Sequence, residues 1–223
     1  TIKIKFSGSS LAADVTATGA IKENDSDPDL TAKALTLTTG IDALTGKKGN
    51  DTFDASTAGS LDTTDVIDGS DGTDTLSATL VAESIRPTIK NVENLNFTAS
   101  ANTGTLSIDT RDITGATTYT SESSIGAIAF NNLATIPTVT INSASSSADV
   151  TVNFTDAALA GSSDELKINL NNFTGTSDIV VTDGGGTTNK LETITINSTS
   201  LASTVTLFTT DDVDATTLKI TGD

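Results

Sequence analysis

The chain has 223 residues, a formal net charge of −17, no histidine and no cysteine. That charge excludes a nucleic-acid partner, whose phosphates need a basic footprint, and an anionic membrane surface, which needs a basic amphipathic helix. The missing residue types remove the commonest general bases and nucleophile partners and any disulfide framework.

What remains points to a thin, strand-rich protein. Threonine supplies 44 of the residues, aromatic residues only 4%, and Trp and Met none. Thr with Val and Ile favours strands, and a hydrophobic content of 35% suits a shallow β-ladder better than a helical enzyme. An acidic surface of this size repels itself unless neutralised, and divalent cations neutralise it most directly; the alternative is a merely soluble acidic protein. No apolar run approaches the roughly 20 residues that span a bilayer. The chain begins at Thr1 without a signal peptide, so it is expected to be a segment of a longer protein or a processed product.

In chain order, "TIKIKF" (1–6) alternates apolar and polar residues and reads as a half-buried strand. "KENDSDPDL" (22–30) breaks regular structure, and "ALTLTTG" (34–40) starts again. This sets an N-terminal arm or strand (1–33) apart from a block at 34–100 and threonine-rich coils at 101–223. Strand-like runs follow at "DTLSATL" (74–80), "ENLNFTAS" (93–100), "PTVTINSAS" (137–145), "DVTVNF" (149–154), "ELKINL" (165–170), "DIVVT" (178–182), "ETITINSTS" (192–200), "STVTLF" (203–208) and "TTLKITG" (216–222). In the second half they recur about every 11–17 residues, with Gly, Asn, Asp and Ser between them. Only "FTDAALAGSSDEL" (154–166) suggests a helical turn. The runs at 93–100, 138–145 and 192–200 resemble one another, each an alternating strand with a small polar tail. Degenerate self-similarity of this kind favours an all-β solenoid, a parallel β-helix-like fold, over the alternative of a β-sandwich.

Two turns carry the candidate chemistry. Gly46-Lys-Lys-Gly-Asn-Asp-Thr-Phe-Asp54 and Gly69-Ser-Asp-Gly-Thr-Asp-Thr-Leu-Ser77 both follow G-x-x-G-x-D-x-U-x, where U is a large apolar residue. The pattern is close to the calcium-binding nonapeptide G-G-x-G-x-D-x-U-x. Its glycines let carbonyls point inward, and Ca²⁺ takes six to eight oxygens. Asp51 and Asp74 are the expected side-chain ligands. Gly46, Lys48, Gly49, Gly69, Asp71 and Gly72 lend carbonyls, Asp71 also its carboxylate, and Asp54 and Asp68 complete a shell. Lys47 and Ser70 replace the second glycine, and the copies sit 23 residues apart where a regular β-roll gives about 18. Lys47 and Lys48 weaken the first site by charge. The competing reading is a pair of Asp- and Gly-containing turns that cap strands.

The stretch "LTTGIDALTGKKGNDTFDAS…LDTTDVIDGSDGTDTLSATL…IKNVENLNFTAS" (about 35–100), with "LETITINSTS…TTLKITGD" behind it, resembles a block of type I-secreted RTX-class proteins. It is closest to bacterial S-layer and related adhesin proteins. The resemblance implies export through a type I channel under a C-terminal signal, folding on extracellular calcium, and assembly into a coat on the bacterial cell surface. The expected partners are further copies of the chain and a cell-surface polysaccharide. The residues 1–33 carry no part of this resemblance.

Three functions follow. The first is a calcium-dependent structural segment of a surface layer, without catalysis. The second is a stalk or ligand-binding module of a large RTX adhesin, although one Tyr, no Trp and seven Phe offer few platforms for sugars. The third is a polysaccharide-cleaving enzyme on a β-helix, which would depend on carboxylates such as those of "TTDDVDA" (209–215) with Arg86 or Arg111. That run reads more simply as a solvated turn or another cation site. "TDGGGTTNK" (182–190) lacks the Lys-Ser/Thr pair and helix of a phosphate loop. The Asn96 and Asn153 sequons are expected by chance in so threonine-rich a chain.

Overall fold

The computed structural model describes residues 2–6, 15–19, 29–81, 84–101, 104–142, 148–172, 176–182, 190–199, 204–209 and 215–222. The runs "KENDSDPDL", "TDGGGTTNK" and "TTDDVDA" lie largely outside these residues. Near the start, Ile2–Phe6 and Val15–Gly19 form an antiparallel pair. From residue 29 onward the described residues form a parallel β-helix.

Its backbone is one long parallel sheet. In order along the helix axis, its nine strands are Ala34–Thr36, Thr52–Ala55, Thr75–Leu80, Asn94–Ala99, Thr118–Glu122, Thr138–Asn142, Glu165–Asn171, Thr193–Ser198 and Thr217–Gly222. This sheet runs without interruption across residue 100. A second parallel sheet collects Ser84–Ile85, Leu106–Asp109, Ile128–Leu133, Val150–Phe154, Thr176–Thr182 and Thr204–Thr209. A third holds only Ala43–Thr45, Val66–Asp68, Thr88–Lys90 and Ile113–Thr114. The first coils therefore join the long sheet to the third, the later ones join it to the second, and those between have all three. The strand spacing read from sequence is the step from sheet to sheet; the full coil is longer. Successive register partners Leu35, Phe53, Leu76, Leu95, Tyr119, Val139, Ile168, Ile196 and Ile220 lie 18 to 29 residues apart.

Period-two alternation explains why these residues stack. Inward positions form apolar columns, such as Leu44, Ile67, Ile89 and Ile113 in the third sheet and Ile85, Ile108, Phe130, Val152 and Val181 in the second. Burying each such side chain contributes about 1.5–3 kcal/mol. Within the core Phe97 and Tyr119 pack on Phe130, with ring centroids 5.9 Å and 5.2 Å from that of Phe130. Outward positions on the long sheet are mostly Thr and Asn. One outer row runs Thr52, Thr75, Asn94, Thr118 and Thr138. Threonine is β-branched and holds strand conformation while ending in a polar hydroxyl, and this accounts for the threonine content. The helical turn expected at 154–166 is a single 3₁₀ turn, Asp156–Leu159, and a second covers Thr110–Asp112.

Candidate metal centre

A coil that turns a corner into the long sheet can leave a backbone N–H without a ladder partner. At four such corners a carboxylate from the next coil accepts it. The Lys33 amide donates to Asp51 Oδ1 (2.5 Å), the Asp51 amide to Asp74 Oδ1 (2.6 Å) and the Asp74 amide to a Glu93 carboxylate oxygen (2.7 Å). Further along, the Asp164 amide donates to Glu192 (2.7 Å) in the same way. The spacing of 23 residues that departs from a regular β-roll is the length of the intervening coil. It sets Thr52 beside Thr75 and Thr45 beside Asp68, so the two glycine turns stack directly.

Segment 29–33 lies on the first turn as a preceding half-coil. The Lys48 amide donates to the Asp29 carbonyl and the Thr52 amide to that of Lys33, both at 2.9 Å. Glycine is needed at the stacking points. A Cβ on Gly46 would fall within 3 Å of Asp51 Oδ2 and the Gly69 carbonyl. One on Gly69 would fall as close to Asp74 Oδ2 and the Asn91 carbonyl. Gly72 packs in the same way on the Gly49 carbonyl, and Gly49 on that of Leu30. The two apolar residues of the motif, Phe53 and Leu76, are buried as expected.

The turns differ at their aspartates, both of which are buried. Asp51 is satisfied on both oxygens, because the Lys47 amide also donates to Oδ2. The equivalent amide in the second turn belongs to Ser70, which sits in the left-handed region at φ 72° and donates instead to Asp68 Oδ1 (3.0 Å). Asp74 Oδ2 is left buried with no hydrogen-bond partner. Burial pushes the Asp74 carboxyl pKa up, and the charges of Asp51, Glu93 and Asp68 add to this. Asp68 moves the other way. The Asn91 side-chain amide (2.9 Å), then the Ser70 amide and the Lys90 charge, hold it below the usual carboxylate range.

Above the stacked turns is an open cleft of about 330 Å³, lined by Asp29, Gly46, Lys47, Lys48, Asp68, Ser70, Asp71 and Asn91. Of the residues expected to bind calcium, Gly46, Lys48, Asp68 and Asp71 line this cleft. Asp51, Asp74, Gly49, Gly69 and Gly72 form the stacked turns themselves. Asp54 is placed apart, on the outer face of the long sheet, because it follows inward-facing Phe53. Its carboxyl, held below the usual range by the Ser56 hydroxyl and amide, accepts the Ser56 N–H at 2.9 Å. Among the described residues no group of three or more acidic side chains is gathered for a metal ion. A cation here would therefore take much of its shell from carbonyls and water, as Ca²⁺ readily does. The orphaned Asp74 oxygen fits such an ion at the second turn.

The corner carboxylates beyond Asp51 and Asp74 were not singled out from sequence. They include Asp65, which lies fully buried at the entry to the third sheet and accepts the Asp42 (2.9 Å) and Asp62 (2.8 Å) amides. Burial raises its pKa against those bonds. A common signal marks the set: an acid two residues ahead of an inward apolar residue, as in Asp42-Ala-Leu44, Asp65-Val-Ile67, Glu93-Asn-Leu95, Asp164-Glu-Leu166 and Glu192-Thr-Ile194. Compared with protein-family models, curated proteins and solved structures, the chain matches none.

Proposed function

We propose that this chain is a calcium-stabilised structural segment of an extracellular bacterial surface layer, with further copies of itself as its partners. The observation that carries the reading is Asp74, a fully buried carboxylate with one oxygen unpartnered at the stacking of two G-x-x-G-x-D-x-U turns. A charged group in that position is costly unless a cation or proton meets it. Calcium is scarce in the cytosol and plentiful outside, so ion binding would supply folding free energy only after export. Asp74 and Asp68 would hold the ion with backbone carbonyls of the same turn, and the ion's chemistry is charge neutralisation. The net charge of −17 and the resemblance to RTX-class S-layer proteins support the same reading, which assigns no catalysis. A cell-surface polysaccharide is the second partner class.

The test is to add calcium to chelator-treated protein, following particle size by light scattering and order by electron microscopy. Ordered sheets that form with calcium and dissolve with chelator are the expected result. Calcium binding that leaves the chain monomeric would move the function to an adhesin stalk. No response to calcium in either binding or size would reduce both turns to strand caps.

A further inference from the structure

The two turns share a motif but differ in charge and in hydrogen bonding. At the positions between the motif's glycines the first turn has Lys47 and Lys48, and the second has Ser70 and Asp71. In the first turn the Lys33 and Lys47 amides meet both oxygens of Asp51. Lys48 Nζ lies 3.1 Å from Asp29 Oδ2, bridging the first turn to the half-coil stacked on it. Lys47 and Lys48 thus bring two positive charges to a cleft whose carboxylates are Asp29, Asp68 and Asp71. The second turn carries no lysine between its own glycines. Its Ser70 amide is engaged by Asp68, its Asp74 Oδ2 has no donor, and Asp71 adds a further negative charge.

Resting on the calcium reading above, we infer that Lys47 and Lys48 act as the built-in cation of the first turn, so that the stacked pair takes one calcium ion, at the second turn, and not two. An ammonium group and a calcium ion compete for the same electrostatic role, and a site that already holds two lysines repels a divalent ion. The first turn then closes without metal and presents the Asp51 amide to Asp74. The second turn closes only when its own aspartate is neutralised.

The test counts calcium ions per full-length chain by native mass spectrometry after chelator removal and calcium titration. Lys47→Gln/Lys48→Gln changes partly exposed side chains of similar length, so the fold is retained; Asp74→Asn removes the charge at the second turn. The lysine variant should bind one ion more than the unmodified chain, and Asp74→Asn one fewer. A lysine variant with an unchanged count would overturn the inference while leaving calcium binding intact. An unmodified chain that binds no calcium would overturn the calcium reading and the inference together.

Discussion

Replacing Asp51 or Asp74 singly with asparagine, in the presence of chelator, should shift stability in opposite directions. Asp51 accepts two backbone amides, from Lys33 and Lys47, one on each oxygen. Asparagine has one acceptor oxygen, so one buried N–H is orphaned and faces a new donor. An orphaned buried donor costs about 1–3 kcal/mol, which lowers the melting temperature of a chain this long by about 4–8 °C for a central 2 kcal/mol. Asp74 needs only Oδ1, for the Asp51 amide at 2.6 Å. Asparagine keeps that acceptor and removes a charge disfavoured by burial and by Asp51, Glu93 and Asp68. Its NH₂ replaces the unpartnered oxygen. Repulsion between carboxylates a few ångströms apart is about 1 kcal/mol even in water, so Asp74→Asn should raise the melting temperature by about 2–4 °C. Circular dichroism melts at pH 7.5 in EDTA read both effects. Equal losses in the two variants would show that the aspartates play the same part, contrary to the geometry.

Gly69→Ala should lower stability by at least about 3 kcal/mol, because its Cβ meets the Asn91 carbonyl and overpacking is added to a lost ladder bond. Gly40→Ala, whose Cβ meets nothing nearer than Thr38 Oγ1 at 3.6 Å, should stay within about 1 kcal/mol in the same urea titration. Phe130→Ala, in the aromatic cluster of the core, should cost about 3–5 kcal/mol, read by the same titration. Asp109 should govern part of the acid response, as Arg111 and Asn132 hold its pKa down to about 2. A depressed folded pKa gives stability that is present above the ordinary carboxyl value of 3.8 and lost as pH falls through about 2. Solvent screens the exposed Arg111, and Arg111→Gln should flatten that part of a melt series between pH 5 and pH 2.

Apart from Thr118–Glu122, the strands of the long sheet from Thr75 onward could be read from sequence because they are five to seven residues long, enough for the two-residue period to show. Strands of the third sheet are two or three residues long and carry one inward residue each, as Ile67 does in Val66–Asp68, so no period exists to detect. The stacking of the two turns was hidden for a related reason. A spacing of 23 looks irregular until the longer connection at 56–65, between Thr52–Ala55 and Val66–Asp68, is counted into the coil. The pairing of Asp51 with Asp74 followed from the motif. The difference between them did not, because it depends on the left-handed turn at Ser70, which sequence shows only as a missing glycine. Asp54 was grouped with the turn by proximity, although alternation after Phe53 sends it to the opposite face.

The most direct measurement is thermal unfolding of the unmodified chain and of Asp74→Asn, each in EDTA and at a calcium concentration about 100 times the dissociation constant. Binding to the folded state alone contributes about 2.7 kcal/mol at that ratio, so the unmodified chain should melt about 5–10 °C higher with calcium, and Asp74→Asn should lose most of that rise. A melting temperature that calcium leaves unchanged, or a rise that Asp74→Asn retains in full, would contradict the assignment of the second turn as a calcium site.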